Sequence, residues 1–264
     1  MKHSILLKSL LAVAILTTSY LPDAYAAFSF GEANGYQDVT INASDVGQSF
    51  TANWLCSANT TCNNPKIVYP SPVNLSATGI FTLDQYGSNY VKISATIKNT
   101  TISSFQAALM SIGLSTQLSN SNISPSWNIP GDSGSQGTIF KSYSSPGNFP
   151  GGFSGINACF WSGKNCSGGP ISKPITSGLG NGYPKLGPST DSFTFFLTSN
   201  TGTIGSSLTL SDFAVKFQTQ AGSYEFGDGL GPSPTPEPGS FWLLGSALLA
   251  MIGFSLRKTM PKKA

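Results

Sequence analysis

Charge is scarce in this sequence, and histidine is all but missing. Asp, Glu, Lys and Arg make up 9% of the 264 residues, where an ordinary globular chain carries about a quarter. The one histidine, His3, stands in an N-terminal stretch that reads as a removable address. A Ser–His–Asp triad, a Cys–His pair and a His-ligated metal centre are thereby excluded from the remainder. Arginine is also absent from residues 27–235, where eight lysines face nine acids. The body is therefore near −1, although the whole chain is +3. No cluster of Lys and Arg is present to neutralise phosphates, which argues against nucleic acid as a partner. Glycine (29) and proline (17) are plentiful, and with Ser, Thr and Asn they give the composition of an exported β-rich protein.

The two ends differ from this body. Lys2 and Lys8 precede a short apolar core, Leu10 to Leu16, and Pro22 then interrupts any helix. Ala24 and Ala26 flank Tyr25 as the small residues a signal peptidase requires, which predicts a signal peptide over 1–26 and Ala27 as the new N-terminus. Residues 27–230 are the expected extracellular β-domain. A proline-rich linker, 231–240, follows; Pro232, Pro234, Pro236 and Pro238 prevent it from being helical.

Residues 241–256 hold no charge, and a basic tail, 257–264, begins with Arg257 and Lys258. Sixteen residues of helix cover about 24 Å against a hydrocarbon core of about 30 Å, so the span suits a temporary anchor completed by snorkelling of the basic pair. Basic residues after the span leave the body outside the membrane. The order Pro236-Glu237-Pro238, apolar span, basic cluster resembles the PEP-CTERM sorting signal. That resemblance implies an exosortase as partner, which removes the tail. It also implies a Gram-negative host making exopolysaccharide or biofilm matrix. The precursor would sit in the inner membrane, with the mature form at the cell surface or in the matrix.

Within the body, apolar and polar residues alternate as half-buried strands require. Val91, Ile93, Ala95 and Ile97 form one such face, with Phe193 to Leu197 and Phe213 to Phe217 as others. Val39–Ile41, Ala77–Leu83 and Leu208–Leu210 read the same way, and residues 105–118 are expected to be strand rather than a short helix. From about Ser119 to Pro188, Gly, Ser, Pro and Asn dominate, which predicts turns and loops. The fold class expected is all-β: an antiparallel β-sandwich with a long Gly/Ser/Pro-rich insertion, plus one C-terminal transmembrane helix in the precursor.

Four cysteines in an exported chain read as disulfides. Three pairings are open, and the two local ones, Cys56–Cys62 and Cys159–Cys166, are the most economical. Zinc is the rival, disfavoured by spacing and by the missing histidine. Residues 156–169 (INACFWSGKNCSGG) resemble a Cys-centred motif of the cistern PEP-CTERM group, through Cys159-Phe160-Trp161, Gly163, Cys166 and the glycines at 168 and 169.

No spacing singles out a pair of acids for glycoside hydrolysis. Asp132 and Asp228 stand in Gly-containing turns and lack the regularly spaced acids of a calcium site. The expectation is therefore a non-enzymatic structural or interaction protein without cofactor or metal, with exopolysaccharide as a candidate partner and the membrane a partner of the precursor only. A carbohydrate-binding module using Trp127, Trp161, Tyr143 or Tyr183 as stacking surfaces is the alternative. A two-carboxylate polysaccharide-active enzyme ranks below both.

Overall fold

The computed structural model describes residues 28–33, 36–59, 62, 71–117, 123–126, 137–144, 149–151, 153, 156–163, 165–167, 178–184, 186–200 and 202–232. These are strands and their connections, with a single 3-10 turn at Ala43–Asp45 and no α-helix among the described residues. The candidate membrane span at 241–256 lies outside them.

Among the described residues there are twelve strands: β1 (Ser29–Ala33), β2 (Tyr36–Asn42), β3 (Ser49–Cys56), β4 (Leu75–Tyr86), β5 (Tyr90–Asn99), β6 (Ala107–Gln117), β7 (Ile123–Ser126), β8 (Ser142–Ser144), β9 (Ala158–Trp161), β10 (Thr190–Ser199), β11 (Ser207–Thr219) and β12 (Ser223–Pro232). One half of the array runs β7-β10-β5-β4-β3 and the other β12-β11-β6-β9-β8, joined where β3 meets β12. The β1–β2 hairpin attaches to the first half of β11. Within each half the neighbours are antiparallel, as short connections demand. At the far ends β7 comes alongside β8 and β9, so the array folds back on itself.

The two halves are layers that share one core. Phe160 of β9 packs on Phe193 and Phe195 of β10, with ring centroids 5.5 and 4.5 Å apart. Phe213 of β11 meets Phe50 and Phe81 edge-on at 5.7 and 5.4 Å. Offset and edge-on pairs of this kind contribute about 0.5–1.5 kcal/mol each beyond their buried area. Trp54 is fully buried, and its indole N–H donates to the Phe213 carbonyl at 3.2 Å, so its one polar atom is satisfied. Gly79 makes room for it: a Cβ there would stand 2.8 Å from Trp54 Cη2.

The strands expected from alternation are present. In β5 and β10 the anticipated apolar residues point inward, and β6 begins at Ala107, two residues after the expected start. The parity of inward residues in β11 changes between Leu210 and Phe213. A bulge does this: the register with β6 slips between Ser211 and Ala214, and Asp212 adopts a φ of 49°.

The insertion differs from the plain loop expected. It contributes three short strands, β7, β8 and β9, and forms a cover. Phe149, Phe153, Ile156, Cys159 and Cys166 cluster with Ala214 on the outer side of the second layer. Gly113 provides the notch for them, since a Cβ there would lie 2.7 Å from Ile156 Cδ1 and 2.8 Å from Phe149 Cδ2.

Buried polar side chains hold other parts of the insertion and the turn before β6. The Asp191 carboxylate, 4% exposed, accepts from the backbone N–H groups of Thr138, Ile139 and Phe140 at 2.9, 3.1 and 3.0 Å and from the Thr138 hydroxyl at 3.0 Å. Asn99 Nδ2 donates to the carbonyls of Ala107 and Leu179 at 3.1 and 3.0 Å. Asn181 Nδ2 donates to those of Ile102 and Phe105.

Candidate functional site

The last described strand leads to the chain's C-terminal address. Tyr224 and Phe226 of β12 face the core, and Phe226 stacks on Phe217 with centroids 5.5 Å apart and planes within 8°. On the opposite side Glu225 lies directly across from Lys216 and pairs with it, both side chains largely shielded from solvent. A buried pair of this kind fixes register more than it adds stability, because desolvation offsets much of the attraction. Burial also raises the Tyr224 phenol above its ordinary range. β12 pairs with β11 on one side and β3 on the other, and it ends at Pro232.

The sorting residues Pro236, Glu237, Pro238, Arg257 and Lys258 lie outside the described residues, as do Ala24, Ala26 and Ala27. Both cysteine pairs are local: Cys56 is joined to Cys62 and Cys159 to Cys166, with no free cysteine. Cys56 closes β3, while Cys159 and Cys166 belong to the outer cover, where the Ser111 hydroxyl donates to the Cys166 carbonyl at 2.7 Å. Among the described residues no group of three or more His, Cys, Asp and Glu is placed to hold a metal.

The aromatic residues singled out by sequence do not form a common surface that the described contacts define. Trp161 packs against the Cys159–Cys166 cluster and is half-buried. Tyr143 on β8 is exposed, paired in register with Phe160, and Tyr183 is half-buried in the loop that follows Asn181. Trp127 and Asp132 lie outside the described residues, as does the Asp228 side chain. Sequence reasoning passed over Tyr90, which begins β5 after the Gly87-Ser88-Asn89 turn and stands on the outer face of the first layer. Its even position in an alternating strand marks it as outward but does not single it out.

An antiparallel β-body stapled by two short disulfides is the build of a protein made for an oxidising compartment outside the cytoplasm. Its address is specific: residues 234–258 match the family model of the PEP-CTERM protein-sorting motif. The chain thus carries the sorting signal of an exported exosortase substrate, with a membrane-anchored precursor implied at its C-terminal end. The matched stretch covers a small part of the chain and concerns delivery, not the β-body. No curated protein and no solved structure matches the chain.

Proposed function

We propose that the body is a non-enzymatic structural or interaction module, which an exosortase releases to the cell surface or into an exopolysaccharide matrix. The observation that supports a role without catalysis is how the body uses its acids. Asp45 accepts from the Asn42 N–H at 2.9 Å and Asp84 from the Ser94 hydroxyl at 2.6 Å. Asp191 holds residues 138–140 of the insertion, and Glu225 holds Lys216. A polysaccharide hydrolase needs two carboxyl groups facing one cleft across a reacting bond. Here four carboxylates serve turns, strands and loop docking instead.

The delivery half of the reading is tested in the native host. Replacing Pro236, Glu237 and Pro238 with Ala leaves the apolar run that drives insertion, so the protein should remain in the membrane fraction at full length. Wild-type protein should appear in the surface or matrix fraction without residues 241–256. Release of the triple variant at the wild-type rate would reduce Pro-Glu-Pro to a linker and remove the basis of exosortase delivery.

A further inference from the structure

The outer face of the first layer carries a grid of three rows of mostly hydroxyl side chains, and beyond the first row stand Asp84, which accepts from the Ser94 hydroxyl at 2.6 Å, and Lys92. Ser49, Thr82, Ser94 and Thr194 align across four strands as one row. Its hydroxyls bond to each other, Ser49 to Thr82 at 2.7 Å and Ser94 to Thr194 at 3.1 Å. The next row is Thr51, Ile80, Thr96 and Ser192, with Thr96 bonded to Ser192 at 3.0 Å. A third row holds Asn53, Thr78, Lys98 and Thr190. Among these twelve positions there is one charge, Lys98, and one apolar side chain, Ile80. Rows across a sheet repeat about every 6.8 Å along the strands, and neighbours within a row stand about 4.8 Å apart.

One end of the grid carries an aromatic ring. Tyr90 is half-buried, edge-on to Phe196 with centroids 6.2 Å apart, and its hydroxyl donates to Gln85 Oε1 at 3.1 Å. Gly87 lets the ring lie against the turn, since a Cβ there would come 2.9 Å from Tyr90 Cε1. Lys92 Nζ stands 5.8 Å from the centre of the Phe196 ring.

We propose that this face binds an extended, uncharged polysaccharide. Sugar rings present C–H faces that stack on an aromatic ring, and Tyr90 is such a ring, backed by Phe196. Sugar hydroxyls donate and accept, as Ser and Thr hydroxyls do, and a hydroxyl that spends one bond on its row keeps acceptor capacity. An open face of parallel rows suits a chain laid across it rather than a single sugar in a pocket. Lys98 is the one cation among the twelve positions, and Asp84 offsets Lys92 beside them, so a phosphate or uronate polymer has little to gain. The grid also lacks the apolar, aromatic centre of a stable protein interface. The inference depends on the delivery proposed above only for where the polymer is met.

The test is affinity electrophoresis of the mature protein from its host, in native gels holding mixed-linkage β-glucan, galactomannan, xylan or dextran, with alginate as the acidic polymer. At least one neutral polymer should retard the wild type, equally at low and high salt. Tyr90→Ala and Thr96→Lys should each weaken that retardation about tenfold. Circular dichroism and the thermal midpoint report whether each variant is folded; Thr96 is exposed, so Thr96→Lys decides if Tyr90→Ala does not fold. The proposal is overturned if no neutral polymer retards the wild type, if only alginate does so and salt abolishes it, or if both folded variants migrate like the wild type. It is also overturned if sedimentation shows a wild-type dimer that the variants lose, which would give the face to a second copy of the chain. Fractionation of the same variants in the host reads delivery separately, so non-binding variants that still reach the matrix leave the delivery reading standing.

Discussion

Strands of the first layer are wet on one side, and β11 of the second is dry on both over its last seven residues. In β4 and β5 buried residues alternate with open ones along nearly the whole strand. In β11, by contrast, every residue from Phe213 to Thr219 is buried, Lys216 and Gln218 included. The strands are chemically similar, and the difference lies in what the insertion does. It sets an apolar cluster on the outer side of the second layer, while the outer face of the first stays open along most of β4 and β5. A sheet face is thus made core or surface by a segment far away in sequence, and the polar residues under that segment must then find partners. Lys216 finds Glu225, and Ser111 finds the Cys166 carbonyl.

The sharpest way to break this comparison is to place one charge on each outer face. Ala214→Asp puts a carboxylate beneath the cover and should cost on the order of 4 kcal/mol in urea unfolding, whereas Thr96→Asp should stay within about 0.5 kcal/mol. Equal effects would mean that the cover does not exclude water. Next in size is Asp191→Ala, which strands three backbone N–H groups and should cost about 3 kcal/mol while making the 137–144 segment a new site of proteolysis. Intact protection of that segment would show that Phe140 alone docks it.

The disulfides give a finer distinction. Loops of sequence separation 6 and 7 should contribute nearly equally through closure entropy, about 2 kcal/mol each. Replacing Cys159 and Cys166 by Ala should exceed the Cys56/Cys62 replacement by about 1 kcal/mol, because both of its sulfurs are buried in the cover and Cys62 is not. The smallest effect is alkaline. Burial pushes the Tyr86 phenol from 10.0 up to about 12. The raised folded value means that its contribution is complete below pH 10 and is lost as pH rises toward about 12, as the unfolded chain ionises first. The thermal midpoint should fall over that window, less steeply in Tyr86→Phe.

Legibility followed the same division. Strands wet on one face announced themselves: Val91 to Ile97 and Phe193 to Leu197 alternate because only one side is buried. Residues 107–110, Ala-Ala-Leu-Met, gave an ambiguous pattern because both sides are buried, and alternation disappears when neither face meets water. Leu208–Leu210 and Phe213–Phe217 read as separate strand faces, and only the bulge between Ser211 and Ala214 joins them into one strand. The cover was not, since Phe149, Phe153 and Ile156 follow no period and are brought together only by the fold. At the C-terminal address the order of motif, span and basic residues is local, so it could be read directly, as residues 234–258 bear out. Tyr90 could not be chosen from among nine tyrosines until the strand register set it beside Phe196.

Among the described residues, β12, the strand nearest the C-terminal address, is held on both flanks, by β11 and by β3, whereas β1 at the other end is held only by β2. β12 is thus gripped from two sides, with residues 223–227 paired to β11. Sliding it out of register would break both ladders of cross-strand bonds, instead of parting it from a single neighbour. The inward Phe226 and the Lys216–Glu225 pair resist the same slip, because moving β12 by one residue would turn its aromatic ring outward and its carboxylate into the core. The strand nearest the sorting signal is thus locked in register by side chains on both of its faces.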